Sequence, residues 1–174
     1  MKNIVLMNSL KYFGFVLIFL FSFIVFLPKE NIYFYYLEKL QHKNISVQNE
    51  EISSGAFHLS VVKGDVFYKD INAFKVESIE MKYLLVYGKI VASNILFDGL
   101  KIEDMEFDWN ILKPLQFDIL IVSSDLSGYG TYNMQNRSFE LYLKPSGDLA
   151  KKYSAFFSQG ELMQNGEYKI EYNL

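Results

Sequence analysis

Tyr12 to Leu27 reads YFGFVLIFLFSFIVFL, a run with no charge and no helix breaker except Gly14. Lys11 closes it on one side and Pro28-Lys29-Glu30 on the other. A membrane-spanning helix needs roughly 17–25 residues. The run falls slightly short, but Ile4, Val5, Leu6, Met7 and Leu10 lengthen the apolar helix, with Lys11 snorkelling toward a headgroup. The anchoring side chains are then Phe13, Phe15, Leu17, Phe19, Phe21, Ile24 and Phe26. A cleavable signal peptide needs small residues after the apolar stretch. Val25-Phe26-Leu27-Pro28 supplies none, so an uncleaved anchor is the better reading.

The flanking charges orient the span. Lys2 and Lys11 precede it, while Lys29 and Glu30 cancel after it. The positive-inside rule puts the N-terminus in the cytoplasm and the bulk of the chain on the far side. In a Gram-negative cell that is a single-pass protein of the bacterial inner membrane, facing the periplasm. We therefore expect a cytoplasmic stub and transmembrane anchor over residues 1–28 and one periplasmic β-rich domain over residues 29–174.

The net charge of -3 is spread along the chain, and no basic stripe suggests nucleic acid as a partner. Without cysteine there are no disulfides, thiolate metal sites or cysteine nucleophiles. The abundance of Phe and Tyr favours strands with large apolar faces. Richness in Lys, Asn, Ile, Phe and Tyr also fits AT-rich bacterial coding, which raises aromatic counts for no functional reason.

Pro28 suits the first turn of a second helix. Ile32, Tyr33, Tyr36, Leu37 and Leu40 form one face of it, with Lys29, Glu38 and Lys39 opposite and an end near 42–44. This helix is expected to cover one end of the sheet that follows. Phe34 and Tyr35 lie off the stripe, where interfacial aromatics meet headgroups.

From Ile45 the period changes to two. Phe57, Leu59 and Val61 share one parity, as do Phe74 and Val76. Ile79, Met81, Tyr83 and Leu85 take the opposite parity, which requires a bulge near Glu77-Ser78 or two strands. Val91, Ser93, Ile95 and Phe97 form another run, ended by the turn dipeptide Asp98-Gly99. Leu100 and Ile102 share a parity that Met105, Phe107 and Trp109 reverse, a second bulge or break. Leu115, Phe117, Ile119 and Ile121 follow, and then a hairpin of Leu126–Met134 with Phe139–Leu143. A late helix is capped by Ser146-Gly147-Asp148, carries Leu149, Tyr153 and Phe156 or Phe157, and stops at Gly160. Tyr168, Ile170, Tyr172 and Leu174 close the chain as a strand with one buried face.

This pattern describes a mainly β protein. An N-terminal transmembrane helix and a short amphipathic helix precede a curved antiparallel sheet, whether half-pipe, sandwich or open barrel, with one additional late helix. The apolar parity of Phe117, Ile119, Ile121, Phe139 and Leu141 forms either a groove or a filled core.

No residues are poised for reaction. His42 and His58 lack metal-ligand spacing, and no G-x-S-x-G elbow occurs. Gly128-Tyr129-Gly130 lacks the third glycine of a phosphate loop and reads as a strand with a bend or close approach. The acidic run Glu103–Asp108 has no EF-hand pattern and reads as a solvated face. Asn44-Ile45-Ser46 and Asn136-Arg137-Ser138 match a glycosylation acceptor, a match without meaning in a bacterial chain. The expectation is a protein without catalytic residues, metal or cofactor.

After the anchor come Leu27-Pro28-Lys29-Glu30-Asn31-Ile32-Tyr33, a short helix with Leu37-Glu38, and strands. Later come Gly128-Tyr129-Gly130, Leu143-Lys144-Pro145-Ser146 and Asn165-Gly166-Glu167-Tyr168-Lys169-Ile170. At both ends this order resembles type II secretion system protein N and its AsmA-like relatives, inner-membrane proteins with a periplasmic β-rich domain. Family members are usually longer. The resemblance implies an accessory role in secretion or envelope assembly and brings no catalytic residues.

Two functions follow as expectations. The first is a non-enzymatic membrane-anchored accessory component of a secretion or envelope-assembly system. Its sheet would dock membrane or secretion-complex proteins by strand addition. The alternative is a lipid-binding or lipid-transfer module whose apolar groove takes phospholipid.

Overall fold

The computed structural model describes residues 2–84 and 86–173, and only the backbone of residues 2–11 and 13. Leu85 and Leu174, expected to extend strands, lie outside the described residues, as does the side chain of Phe13. Two helices come first, α1 (Lys2–Phe26) and α2 (Lys29–Gln41). Strands β1 (Ile45–Gln48), β2 (Glu51–Ser54), β3 (His58–Tyr68), β4 (Ile71–Tyr83), β5 (Tyr87–Phe97) and β6 (Leu100–Asn110) follow. Next are β7 (Gln116–Val122), β8 (Leu126–Asn133) and β9 (Ser138–Pro145). The short helices α3 (Gly147–Lys152) and α4 (Ser154–Phe157) precede β10 (Glu161–Leu162) and β11 (Tyr168–Asn173).

All strands belong to one open antiparallel sheet in the order β1-β3-β4-β5-β6-β7-β8-β9-β11-β10, with β2 beside β1 on the same edge of β3. This is neither a pair of stacked sheets nor a closed barrel. Two hairpin turns have positive φ at both central residues, Lys69-Asp70 and Asp98-Gly99. That backbone matches the twist of adjoining strands. The second turn is legible from its Asp-Gly pair. The first is missed because lysine rarely signals a left-handed residue.

Register turns the alternating sequence into rungs across the sheet. Leu59, Met81, Ile90, Phe107, Ile119, Gly130, Leu141 and Ile170 are successive cross-strand partners from β3 to β11. So are Val61, Ile79, Ala92, Met105, Ile121, Gly128, Leu143 and Tyr168. Because side chains alternate with period two, one correct register places both rungs on the same apolar face. Their buried members join Val76, Ile95, Ile102, Leu126, Leu149 and Phe157 in the core.

Four adjacent strands change parity at one level. In β4, buried Val76 and core-packed Ile79 are separated by exposed Glu77 and half-buried Ser78. The same spacing separates Val61 from Gly64 in β3, Ala92 from Ile95 in β5 and Ile102 from Met105 in β6. Lys63 and Asn94 reach this arrangement through positive φ. The two breaks expected near Glu77-Ser78 and between Ile102 and Met105 are thus parts of one line crossing the sheet. The expected face Val91, Ser93, Ile95 and Phe97 is corrected here. Val91 pairs with Glu80 and Glu106 on the polar side, and the left-handed turn at Asn94 brings only Ile95 inward.

The late helix forms as two pieces, parted at Tyr153, whose φ of -108° and ψ of 33° leave the helical region. Ser146 Oγ accepts from the Leu149 N–H, the expected cap. Leu149 and Phe157 are buried and Phe156 is exposed. Lys152 Nζ and Tyr153 Oη both donate to the Asp98 carbonyl, at 2.6 and 3.0 Å, tying this segment to the β5–β6 turn.

The expectation of a transmembrane α1 meets a shorter span. Among the described residues no single helix is long and apolar enough to cross a membrane. The part with consecutive described side chains, Gly14–Phe26, is only about 20 Å long, against roughly 30 Å of hydrocarbon. A bent pair, Gly14–Phe26 with Lys29–Gln41, meets the length and composition together, with 60° between its halves.

Candidate functional site

The stripe read on α2 finds its place against the sheet. Ile32, Tyr33, Tyr36, Leu37 and Leu40 face Leu59, Met81 and Tyr83 across an apolar cleft of about 390 Å³, closed by Leu27 and Lys29. Ligand pockets occupy roughly 300–1,000 Å³. The α2 helix packs on β1 and β2, at the edge, so it roofs the β3–β4 end of the apolar face. Phe34 and Tyr35, off the stripe, are exposed.

Two polar features mark this cleft. The Tyr83 hydroxyl is buried and has no hydrogen-bond partner among the described residues. Burial pushes its pKa above the usual tyrosine value. A buried donor without a partner is rare, because it has lost water and gained nothing in exchange. Lys29 is only 8% exposed. Its Nζ donates to the Val25 and Leu27 carbonyls at 3.2 and 3.4 Å, which otherwise end α1 unsatisfied. The same ammonium lies 5.7 Å from the centre of the Tyr83 ring, within cation–π reach.

Further contacts lock this corner. Tyr33 Oη donates to Glu50 at 2.6 Å, and Ser54 Oγ donates to Glu30 at 2.6 Å. Burial, then the Glu50 carboxylate, pushes the Tyr33 pKa far above its ordinary range. Phe21 of α1 packs on Phe57, ring centres 5.3 Å apart. The end of α1 is thereby held against the β2–β3 turn.

The residues expected to form a groove or core lie together on the apolar face. Ile119, Ile121 and Leu141 are buried; Phe117 and Phe139 are half-buried. The open space lies under α2 instead. Gly130 separates Ile119 from Leu141, and a Cβ there would meet the Glu140 carbonyl and Leu141. The glycine thus marks a close approach of β8 to β9. Among the anchor residues, Phe15, Leu17, Phe19, Phe21 and Phe26 are exposed and Ile24 is half-buried.

The acidic run of β6 is matched by donors on β5. Lys89 pairs with Glu106 at 2.6 Å, Ser93 Oγ donates to Asp104 and Tyr87 Oη to Asp108. No group of three or more histidines or carboxylates among the described residues is placed to hold a metal ion. His42 and His58 are exposed. A larger hollow of about 560 Å³ touches Lys63, Asp65, Lys75 and Glu77 along the parity line. Lys63 already pairs with Glu51 and Lys75 with Asp65, so it offers less to a ligand than the cleft does.

No family model matches the chain, and neither the curated proteins nor the solved structures give a match. The resemblance to type II secretion system protein N and AsmA-like proteins rests on the quoted residues alone.

Proposed function

We propose that this chain is a non-enzymatic, membrane-anchored lipid-binding module, with α1 in the bilayer and an acyl chain in the cleft under α2. The observation that carries the reading is the apolar cleft of about 390 Å³ itself, walled by the α2 stripe on one side and by Leu59, Met81 and Tyr83 on the other. Methylenes of an acyl chain would fill the space against Leu37, Leu59 and Met81.

The anchor reading rests on what α1 exposes. Tyr12, Phe15 to Phe21, Phe23 and Phe26 are open on all sides of the helix. In water this surface costs on the order of 10 kcal/mol relative to burial. A bilayer removes that cost, and the backbone helix of 25 residues has the length to span it. The flanking lysines then orient the sheet toward the far side, the periplasm in a bacterial inner membrane. Two short helices cannot shield an apolar face eight strands wide. A curved, half-pipe sheet, its side chains packed on one another, accounts for the burial.

The docking role expected for a secretion or envelope complex is the second reading. Its strand-addition sites are short: the interrupted β1/β2 on one side, and on the other β10 and the Ile170–Asn173 stretch of β11 that β10 leaves unpaired. Edges that short resist pairing, which is why lipid binding ranks first.

Native mass spectrometry of the full chain, purified in detergent and stripped of the micelle in the gas phase, tests the reading. The wild type should retain a mass matching one phospholipid, and Met81→Trp, which fills the cleft, should lose it while keeping the melting temperature. A bare wild-type mass, or equal retention by the variant, would overturn the lipid assignment and return the search to protein partners.

A further inference from the structure

Sheet topology gathers three loops at the end where α1 is docked. They hold Leu84 and Val86 after β4, residues 111–115 after β6 and residues 134–137 after β8. All three have exposed apolar tips. Leu84 and Val86 flank the first, Ile111, Leu112 and Leu115 make the second, and Met134 opens the third. Leu112 is 90% exposed, which is costly for a leucine unless something apolar meets it.

The near loops are free of acid among their described residues, and the opposite turns carry paired charges. The described residues of the three near loops contain Lys113 and Arg137 and no acid. The opposite turns are Lys69-Asp70, Asp98-Gly99 and Ser123-Ser124-Asp125, each with one aspartate, offset by Lys69 beside Asp70 and by Lys152 on Asp98. Ile71 and Phe97 are exposed beside those turns, so the docked end of α1, more than charge or apolar content, distinguishes the two ends.

The corner contacts set the depth. Phe21 lies five residues before the end of α1, about 7.5 Å inward along the helix axis. Its ring touches Phe57 in the β2–β3 turn, on the same rim as the three loops. A rim held there reaches below the level at which α1 leaves the membrane. Interfacial elements sink about 5–10 Å into the headgroup and acyl boundary.

We infer that this rim is a second membrane-contacting surface, with Leu84, Val86 and the tips of the 111–115 and 134–137 loops inserted in the interface of an anionic bilayer. Leu112 and its apolar neighbours enter the acyl boundary, and Lys113 and Arg137 meet lipid phosphates. The end of the cleft closed by Leu27 and Lys29 then lies next to the membrane surface. This inference rests on the proposed placement of α1 in the bilayer.

Trp109 is the sole tryptophan, and its Nε1 donates to the Pro114 carbonyl of the second loop at 2.9 Å, so it reports on this rim without mutation. The full chain would be reconstituted in nanodiscs of phosphatidylcholine and phosphatidylglycerol at 3:1, with and without 6,7-dibrominated chains. Emission would be compared for wild type and for three Trp109→Phe variants carrying Leu112→Trp, Phe19→Trp or Ile71→Trp. The expected result is loss of emission for Leu112→Trp approaching that of Phe19→Trp, partial loss for wild-type Trp109, and none for Ile71→Trp. Quenching of Phe19→Trp without any loss at Leu112→Trp or Trp109 would overturn the rim contact and leave the anchor standing. No quenching at any position would overturn both. Equal loss at Ile71→Trp would also overturn the inference, since the two rims would not differ.

Discussion

Replacing Ile119 with alanine tests whether the apolar face is a filled core at the middle of the sheet. Ile119 is 5% exposed, and its cross-strand neighbours are Phe107 on β6 and Gly130 on β8. Removing a buried isoleucine to Cβ costs about 2–5 kcal/mol, depending on how far the site can collapse. Gly130 has no side chain to move into the gap, and β9 already crowds it, so collapse from that side is blocked. We place the cost near the middle of the range, about 3–4 kcal/mol. At about 2–4 °C per kcal/mol for a domain of this size, the melting temperature should fall by about 10 °C. Leu120→Ala is the matched control. It sits one residue along on the exposed face, where a substitution costs within about 0.5 kcal/mol. Thermal melts of the full chain in detergent, followed by circular dichroism at a strand wavelength, measure both. Equal shifts for the two variants would refute the face assignment, and an unshifted Ile119→Ala would refute the filled core. Ile119→Asp sharpens the test: a carboxylate among apolar side chains should prevent folding, whereas a folded variant would point to a solvent-open groove.

Three further substitutions probe other parts of the fold. Gly130→Ala forces a methyl against the Glu140 carbonyl and should destabilise by about 1–3 kcal/mol, read from urea midpoints. Ser146→Ala removes the cap of α3 and should cost about 1 kcal/mol, with loosened protection of the 147–152 amides in hydrogen exchange. Tyr33→Phe should flatten the alkaline loss of stability. The folded state holds the Tyr33 proton more tightly than the unfolded chain does, because of burial and then Glu50. That contribution is complete below the unfolded value of about 10 and fades as pH rises toward the raised folded value. Melts from pH 8 to 11 should show the wild type losing stability faster than the variant; parallel curves would remove Tyr33 from the account.

Much of the local structure was legible in the chain. The α2 stripe needs only the helical period, and all five of its residues line the cleft. Strand parity needs only the period of two, and it located the breaks at Glu77-Ser78 and between Ile102 and Met105. It misled in β5, where Asn94 adopts φ of 51° and reverses the parity of Val91 and Ser93 relative to Ile95. A left-handed residue in mid-strand has no period to announce it. The acidic run of β6 was read as a solvated face, and pairing adds the donors that hold it on β5.

The cleft and the rim were not legible, because both depend on segments far apart in sequence. The sequence by itself determined which side chains share a face, since alternation and helical spacing are properties of neighbouring residues. It also determined that one stretch, Tyr12–Leu27, is uncharged throughout and almost wholly apolar. Tertiary structure alone decided that α2 stands off Met81 and leaves space, that the Tyr83 hydroxyl is buried without a partner among the described residues, and that Leu84, Leu112 and Met134 share a rim with Phe57. Those facts follow from strand register, hairpin reversal and the locked corner at Lys29, where distances across the fold rather than along the chain set the energy.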